Sequence, residues 1–401
     1  MKIAIVGGGA SGLMAAIAAK GAGTEVVIYE RNSRVGKKIL ATGNGRCNIT
    51  NAYADTANYH GEHPEFINSV KNSFWVNETI DFFSNIGVLL KEEDGGKMYP
   101  YSDTASSVLD ALRRAAARSG AITECGGDVK RVTKTKNGFS LSFYGRDDAV
   151  CDRVIIACGG CAAPASGSNG SGYELLRQLG HRITPLSPSL VQIKTETETV
   201  KKLKGIKVNA NVTIGSRSER GEVLFTDYGL SGPPIFSLSA YLGNSTFAEL
   251  DIMPEYSFSE LSDMLTRRKS MLGDVPLEEF FTGMLNKRVG QAMLKSAGIM
   301  PLSRLGENLS RQEIKKLAAM IKCWRFEIKG TMSWNNAQVT HGGAATSGFD
   351  SETLESKLVR GMYACGEVLD IDGDCGGYNL QWAWSSGYTA GRSAMLSCVQ
   401  Q

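Results

Sequence analysis

The pattern of apolar and polar positions changes twice along the chain. Continuous apolar runs at residues 3–6, 26–29 and 154–157 predict buried strands of a parallel sheet. Helical spacing of apolar positions follows at residues 13–18, 65–83 and 104–118. This alternation of strands and helices is typical of βαβ units, so the first part of the chain is predicted to be an α/β domain.

From about Leu190 the pattern becomes one of alternating apolar and polar positions, which predicts half-buried antiparallel strands. Residues 257–321 then have helical spacing. In this segment Ser310 and Glu313 form a possible capping box, and the apolar stripe behind it consists of Ile314, Leu317, Ala318 and Ile321. Alternation returns at residues 324–328, and the α/β pattern resumes after Gly342.

These changes predict three domains. The α/β domain comprises residues 1–189 and 343–401, a β-rich insert comprises 190–255 and 323–342, and a helical insert comprises 256–322. A chain of 401 residues is long enough for more than one hydrophobic core.

A glycine motif lies between the first predicted strand and helix. Gly7 permits a tight turn, Gly9 lets the backbone approach a pyrophosphate, and Gly12 lets helix and strand pack closely. The phosphates would bind the free N–H groups and the positive end of the helix dipole. Glu30 ends the second strand, where a carboxylate accepts ribose hydroxyls and repels a 2′-phosphate. The alternative, a glycine-rich turn kept only for packing, is weakened because strand, helix and acid occur together.

Later segments indicate which dinucleotide is bound. Residues 154–160 form a strand that leads into a glycine turn, and residues 361–367 form a second such strand ending in Gly366 and Glu367. This order resembles the glutathione-reductase-like class of FAD folds. A helix beginning near Gly377 would point its positive end at the flavin and stabilise its anionic reduced form, although a simple packing helix has the same pattern.

A glycine-rich basic segment spans residues 36–48. Its glycines allow close backbone approach, and Lys38 and Arg46 supply positive charge beside phosphates or a reduced flavin. A solvated basic loop has the same composition, so the residues alone leave both interpretations open.

Composition limits the other possibilities. A net charge of +3 does not by itself indicate a nucleic-acid partner, and nine cysteines without framework spacing indicate reduced thiols. We expect no transmembrane segment, no bound metal ion and a cytoplasmic location. The cysteines of Cys158-x-x-Cys161 could form a redox disulfide, but they follow a buried strand, so a packing role is favoured.

Four longer segments resemble a known family. They are residues 45–48, 224–233, 338–343 and 366–383, and they are similar to the BaiN/YhiN-like (aminoacetone-oxidase-like) FAD flavoproteins of bacteria. The resemblance covers nearly the whole chain and implies a Rossmann-type FAD domain with an inserted β domain and a small helical domain. It also implies that Arg46, Cys47 and Asn48 lie along the FAD, and that the backbone near Val129 holds the adenine.

Together the motif and the resemblance predict a set of FAD contacts. The expected residues are Gly7, Gly9, Ala10, Ser11, Gly12, Glu30, Arg31, Lys38, Thr42, Gly45, Arg46, Cys47, Asn48, Val129, Ala157, Cys158, Gly159, Gly366, Glu367, Gly377, Asn379, Leu380 and Gln381. The chain departs from the usual family pattern at Cys158, where Thr is common, and at Asp227, where His is frequent.

The resemblance leaves several reactions open. Members of the family are linked to hydride transfer onto conjugated C=C bonds of oxo-bile acids, to amine oxidation, and to reduction of a uridine in ribosomal RNA. The chain has no second strand–GxGxxG–helix motif, so NAD(P)H is expected to visit the flavin transiently. An FAD-binding redox sensor without a small substrate is a non-enzymatic alternative.

Three residues are candidates for catalysis. His341 lies in a glycine-flanked turn and is the best placed of the four histidines to donate a proton, while Cys47 and Tyr228 are weaker candidates. A lone histidine is more often structural.

Charge distribution bears on the RNA alternative. Residues 190–342 contain 20 Lys and Arg against 16 Asp and Glu, whereas the rest of the chain contains 24 against 25. Structured RNA needs a basic surface, but a solvated face gives the same small excess. The leading hypothesis is an FAD-dependent, NAD(P)H-driven reductase of an activated C=C bond in a small molecule.

Overall fold

The computed structural model describes residues 1–243 and 245–397, and the chain divides into two compact units. Unit 1 contains Met1–Ser189 and the chain from Trp334 onward, and unit 2 contains Leu190–Ser333. In the described part of the chain, no helix is long and apolar enough to cross a membrane.

The first segment of unit 1 contains twelve strands and five helices. In chain order they are β1 (Lys2–Val6), α1 (Ala10–Ala18), β2 (Glu25–Glu30), β3 (Thr50–Asn51), β4 (Tyr59–His60), α2 (Ile67–Lys71), α3 (Val76–Asn85), β5 (Leu90–Glu93), β6 (Lys97–Pro100), α4 (Ala105–Arg118), β7 (Ile122–Cys125), β8 (Val129–Thr135), β9 (Gly138–Phe143), β10 (Ala149–Cys151), β11 (Arg153–Ile156), α5 (Ser171–Gln178) and β12 (Ser187–Ser189).

Unit 2 follows, and its described residues form six strands and five helices. They are β13 (Ile193–Thr195), α6 (Thr197–Lys202), β14 (Lys207–Ile214), β15 (Arg217–Phe225), β16 (Gly229–Ser231), α7 (Pro233–Ser239), β17 (Phe247–Asp251), α8 (Phe258–Met271), α9 (Lys287–Ser296), α10 (Arg311–Lys322) and β18 (Trp324–Thr331). Unit 1 then resumes with β19 (Val339–His341), β20 (Met362–Ala364), β21 (Asp372–Gly373) and α11 (Tyr378–Leu396).

The centre of unit 1 is a five-stranded parallel sheet in the order β20-β11-β1-β2-β7. Its central strands are buried, as their continuous apolar runs predict, and β20 joins the edge from the far end of the chain. The carboxyl ends of β1, β11 and β20 therefore lie side by side.

Helices α1 and α11 pack closely against each other beside this sheet. A Cβ added at Gly387 would lie 2.4 Å from the carbonyl oxygen of Ser11, and one at Gly391 would lie 2.2 Å from that of Ala15. Only glycine permits this approach of two helix backbones. The C-terminal helix is thereby held against the N-terminal βαβ unit.

Unit 2 contains a closed antiparallel barrel in the order β13-β16-β15-β14-β17-β18. Helices α8, α9 and α10 share one apolar core with the barrel strands, because Leu261, Met293 and Leu317 belong to the same buried cluster as Val212 and Phe326. The separation of a third, helical domain stays a prediction.

Two boundaries differ from the sequence pattern. Unit 1 resumes at Trp334 rather than at 343, since β19 pairs with β12 of the same unit. The helical pattern over residues 65–83 corresponds to two helices rather than one continuous helix: α2 and α3 are separate, with Phe74 and Trp75 buried between them.

Candidate functional site

The turn between β1 and α1 gives each motif glycine a different environment. A Cβ at Gly7 would lie 2.4 Å from the carbonyl oxygen of Ala157, and one at Gly12 would lie 1.9 Å from that of Gly7. A Cβ at Gly9 would meet nothing within 4 Å. Gly7 and Gly12 are thus required for packing, while Gly9 faces open space in front of the helix.

Helix α1 begins without a capping side chain. Gly9 is the N-cap residue, and no side chain accepts a hydrogen bond from the first turn, which contains Ala10, Ser11 and Gly12. An uncapped helix N-terminus presents free N–H groups and a positive dipole end, which is the usual form of a pyrophosphate site.

Glu30 is fixed against this turn. The residue is 7% exposed; one carboxylate oxygen accepts from Gly8 N at 2.8 Å, and the other accepts from Asn32 N at 2.8 Å and Asn32 Nδ2 at 2.7 Å. Arg31 donates to Asp128 Oδ1 at 2.6 Å, and Asp128 directly precedes Val129 on β8. The residues predicted at the adenosine end of FAD therefore lie around one turn.

Lys38 and Glu367 come together although 329 positions separate them. Lys38 Nζ donates to Glu367 Oε2 at 2.7 Å, and Glu367 Oε1 accepts from Thr340 N at 2.8 Å. Thr340 Oγ1 also accepts from Cys161 N at 2.8 Å. Thr340 was not a sequence candidate, because its hydroxyl acts only once β19 approaches the end of β11.

Arg46 is held by acidic partners. Its guanidinium bonds Glu93 and Asp103 and lies 4.1 Å from the ring centroid of Tyr99. The two carboxylates raise the pKa of Arg46. Nearby, Thr42 donates to the carbonyl oxygen of Ile39, and Gly45 has a positive φ. The guanidinium charge is therefore shared within the protein, which weakens the predicted role of Arg46 as a free phosphate ligand.

Cys47 and Asn48 are both buried. Cys47 has φ 64°, and burial raises the pKa of its thiol to about 12, which keeps the thiol protonated. The complete burial of its side chain opposes the predicted catalytic role of Cys47. Asn48 Oδ1 is buried and has no hydrogen-bond partner among the described residues, and a Cβ at Gly377 would lie 3.0 Å from it.

Helix α11 also begins without a capping side chain, at Gly377 with φ 103°. Asn379 shapes the preceding loop by bonding the backbone N and O of Gly373, and Leu380 follows in the first turn. Gln381 donates to Thr79 and Ser385 within the buried interior. Its backbone N–H donates to Gly377 O at 3.0 Å, so the side chain and the N–H of Gln381 are both used within the protein, which weakens its predicted FAD contact.

The carboxyl ends of β11 and β20 meet the start of α1. Ser11 Oγ donates to Cys365 O at 3.4 Å, and Gly366 N donates to Ser386 Oγ at 2.9 Å. Ala157 N donates to Val6 O, and Gly159 has φ 70°. Burial raises the pKa of Cys158 to about 12 and also raises that of Cys161, which disfavours a redox role for this pair.

His341 forms a pair with Asp372. The two side chains meet through Nδ1 and Oδ1 at 2.8 Å; the histidine side chain is 38% exposed and the aspartate side chain 0%. The hydrogen bond to Asp372 raises the pKa of His341. Asp372 was missed in the sequence, where its only signal is the spacing of Asp370, Asp372 and Asp374 before a glycine turn.

Tyr228 belongs to unit 2, in the turn from β15 to β16, where its carbonyl oxygen accepts from Thr195 N. Its neighbour Asp227 pairs with Lys204 at the surface. Among the described residues, no group of three or more His, Cys, Asp or Glu side chains could hold a metal ion.

Unit 1 has features that suit both ends of the FAD molecule, the ADP moiety and the flavin ring. The open space before Gly9, with the uncapped α1 and Glu30, suits an ADP moiety. The unpartnered Asn48 Oδ1 and the uncapped start of α11 suit a ring that offers N–H donors and carbonyl acceptors.

This fold and site define a flavoprotein oxidoreductase with a Rossmann-type FAD-binding domain. The chain matches the family described as HI0933-like protein Rossmann domain over residues 1–393, and it belongs to that family.

Curated relatives match the chain over nearly its full length. It is 38% identical to the 3-dehydro-bile acid delta(4,6)-reductase of Clostridium scindens, with 98% of each chain covered. It is 30% identical to the ribosomal RNA dihydrouridine synthase of Escherichia coli, with 98% of each covered, and 30% identical to that of Haemophilus influenzae, with 97% of each covered.

Proposed function

We propose that this protein is an FAD-dependent reductase that uses NAD(P)H to saturate a C=C bond conjugated with a carbonyl group in a small molecule. The observation that carries the proposal is the His341–Asp372 pair, a half-exposed imidazole that is held by a buried carboxylate. The pair follows Thr340, whose backbone bonds Glu367 of the proposed FAD site. The 38% identity to a relative named as a reductase supports the same reaction.

The reaction requires one hydride and one proton. FAD, when bound, supplies two-electron chemistry with NAD(P)H as the source of electrons. The conjugated C=C bond accepts the hydride at the carbon remote from the carbonyl, and the adjacent carbon accepts a proton from His341 Nε2. The π bond is lost, two C–H bonds form, and His341 regains its proton from water.

The other residues of unit 1 bind the cofactor in this proposal. The first turn of α1 and Glu30 hold the ADP moiety, while Asn48 and the start of α11 hold the ring. The residues around Lys38 and Glu367 lie at the linking region. Cys47 serves as a packing residue in this proposal, since its side chain is fully buried. Tyr228 remains a weaker candidate for proton donation than His341.

Reduction of a uridine in ribosomal RNA is the second candidate. Two relatives at 30% identity bear that function in their names, and the positive excess of residues 190–342 favours a polyanionic partner. The C5=C6 bond of uridine is also conjugated with a carbonyl, so the bond changes are the same. The two candidates differ in the size and charge of the substrate.

The test separates the two half-reactions. The FAD-loaded protein is mixed anaerobically with NADH or NADPH, and the bleaching of the flavin absorbance is followed. A 3-oxo-4-ene steroid acid or an unmodified ribosomal RNA transcript is then added. We expect bleaching by one nucleotide and reoxidation by the steroid acid. Reoxidation by the RNA alone favours the second candidate, and an unbleached flavin contradicts both.

The variant His341→Gln tests the role of His341 in the same experiment, with flavin bleaching as its internal control. Flavin bleaching by the nucleotide is expected to keep its rate, because His341 has no part in that half-reaction. Reoxidation by the steroid acid is expected to slow about 100-fold, the usual contribution of a general acid. Equal slowing of both half-reactions contradicts the proposed role of His341.

A further inference from the structure

We infer that Asp372 is the positioning residue of the active site: it fixes the imidazole of His341 so that Nδ1 is bound to the protein and Nε2 carries the proton for the substrate. This inference rests on the proposed function, in which His341 is the proton donor. It adds a second residue, buried and without access to substrate, on which that donor depends.

The backbone holds both residues in regular structure. His341 ends β19 and pairs in register with Ser187 of β12, and Asp372 begins β21 and pairs with His60 of β4. Neither residue can shift along its strand without breaking these ladders. The 2.8 Å contact between Nδ1 and Oδ1 is therefore a fixed feature of unit 1.

The ring has one nitrogen bound and one available. Nδ1 contacts Asp372, and Nε2 has no hydrogen-bond partner among the residues that the structure describes. Since the side chain is 38% exposed, the imidazole has an accessible edge. A carboxylate on Nδ1 selects the tautomer and orientation of the ring, as in other histidine–carboxylate pairs.

The burial of Asp372 gives the pair its charge state. The carboxylate is 0% exposed, and its Oδ2 has no hydrogen-bond partner among the described residues. A buried carboxylate is costly unless a cation compensates it. The imidazolium of His341 is the cation in contact with it, so the structure favours the protonated ring.

A second carboxylate, that of Asp370, acts on the pKa of His341 in the same direction as Asp372. Asp370 also raises the pKa of His341, whereas burial lowers it. Asp370 faces Glu62, whose backbone N–H it accepts, and Glu62 is paired with Arg182. The folded pKa of His341 is raised overall, so its proton is retained below that pKa and lost as pH rises through it.

The first test measures the imidazole directly. The chain has four histidines, so ¹⁵N-histidine labelling gives few signals, and His341→Gln assigns one of them. In wild type we expect the His341 signals to titrate above the ordinary midpoint of about 6.5. In Asp372→Asn the midpoint should fall to or below that value. An unchanged titration overturns the inference, whatever the activity.

Asp370→Asn is the matched control, because it removes a neighbouring carboxylate that does not bond His341. It should lower the midpoint less than Asp372→Asn does. An equal shift of the His341 midpoint in both variants would mean that Asp372 acts only as one of several nearby charges, which overturns its positioning role. Near-ultraviolet circular dichroism checks that each variant folds. If Asp372→Asn does not fold, the titration midpoint of His341 in the wild-type protein still tests the inference.

The second test uses the pH profile of steroid-acid reduction. Asp372→Asn should move the high-pH decline of the rate to lower pH and slow the reaction at least 10-fold at pH 8, with flavin bleaching by the nucleotide unchanged. An unmoved decline contradicts the inference. If His341→Gln keeps full activity while the histidine titration still depends on Asp372, the proposed function fails and the pairing stands.

Discussion

Open space beside Gly9 distinguishes it from the other two glycines of its turn. Gly7 and Gly12 are each within 2.4 Å or less, measured from an added Cβ, of a backbone oxygen, and Gly9 has no neighbour within 4 Å. Its φ of −80° is accessible to any residue, so glycine is not required there for backbone conformation. The remaining reason for glycine at this position is close approach of a ligand.

This difference predicts opposite effects for two alanine variants. Gly9→Ala should lower the free energy of unfolding by about 0.5–1 kcal/mol, the cost of alanine at an N-cap, but weaken FAD binding at least ~10-fold, because the methyl group occupies the ligand's space. Gly12→Ala should cost about 1–3 kcal/mol of stability, since its Cβ would meet Gly7 O at 1.9 Å. Urea denaturation and titration of flavin fluorescence measure the two effects. Equal stability loss in both variants would contradict this explanation.

Residue identity alone did not reveal that Cys47 is buried. Its place in a glycine-rich basic segment suggested chemistry, yet the thiol is fully buried, and burial raises its pKa to about 12. Burial depends on which distant segments cover a residue. For His341 the tertiary structure strengthens the prediction instead, because Asp372 lies within hydrogen-bond distance of its imidazole.

At the scale of the element, the two helices that face the proposed cofactor share one property. Both α1 and α11 begin at a glycine and lack a capping side chain, whereas α8 and α10 of unit 2 begin with capping boxes. Helix N-termini without caps leave their N–H groups for a ligand. In α8 and α10, the side chains of Ser257 and Ser310 satisfy one of these groups.

The capping box of α10 was predicted from Ser310 and Glu313 and is confirmed. Ser310 Oγ accepts from Glu313 N at 3.1 Å, and Glu313 Oε2 accepts from Ser310 N at 2.8 Å. Ser310→Ala should therefore lower the free energy of unfolding by about 1 kcal/mol. Ser270→Ala, in the exposed last turn of α8, is the control and should change it by less than about 0.5 kcal/mol. Indistinguishable urea midpoints for the two variants would contradict the capping contribution.

At the scale of the whole molecule, unit 1 is assembled from both ends of the chain. The strand β20 completes the sheet begun by β1, and α11 packs on α1 through Gly387 and Gly391. The residues proposed to hold FAD, from Gly7 to Gln381, accordingly belong to one unit although the barrel unit separates them in sequence.

We expect FAD to stabilise unit 1 selectively. At a concentration 100-fold above Kd, binding adds about 2.7 kcal/mol to the free energy of opening, which slows hydrogen exchange of the slowest unit 1 amides about 100-fold. Hydrogen-exchange mass spectrometry with and without FAD should show protection at the β1–α1 turn, at residues 36–48 and at the start of α11. The barrel strands of unit 2 serve as the internal control. Protection confined to those strands would contradict the proposed binding residues.

The sequence by itself determined the local elements and the class of cofactor. The buried strands, the turn at Gly7 to Gly12, the acid Glu30 and the cap at Ser310 follow from patterns within about 25 residues, where periodicity, turn geometry and helix capping decide the structure. The helical pattern over residues 65–83 did not reveal the break between α2 and α3, where Phe74 and Trp75 are buried by tertiary packing.

Only the tertiary structure decided which distant residues act together. The contacts of Lys38 with Glu367, of Arg46 with Glu93 and Asp103, and of His341 with Asp372 link side chains that lie 31 to 329 positions apart. No local pattern encodes such pairs, because they depend on how strands order within sheets and which surfaces are buried. The burial of Asp372, and with it the charge state of His341, exists only in the folded chain.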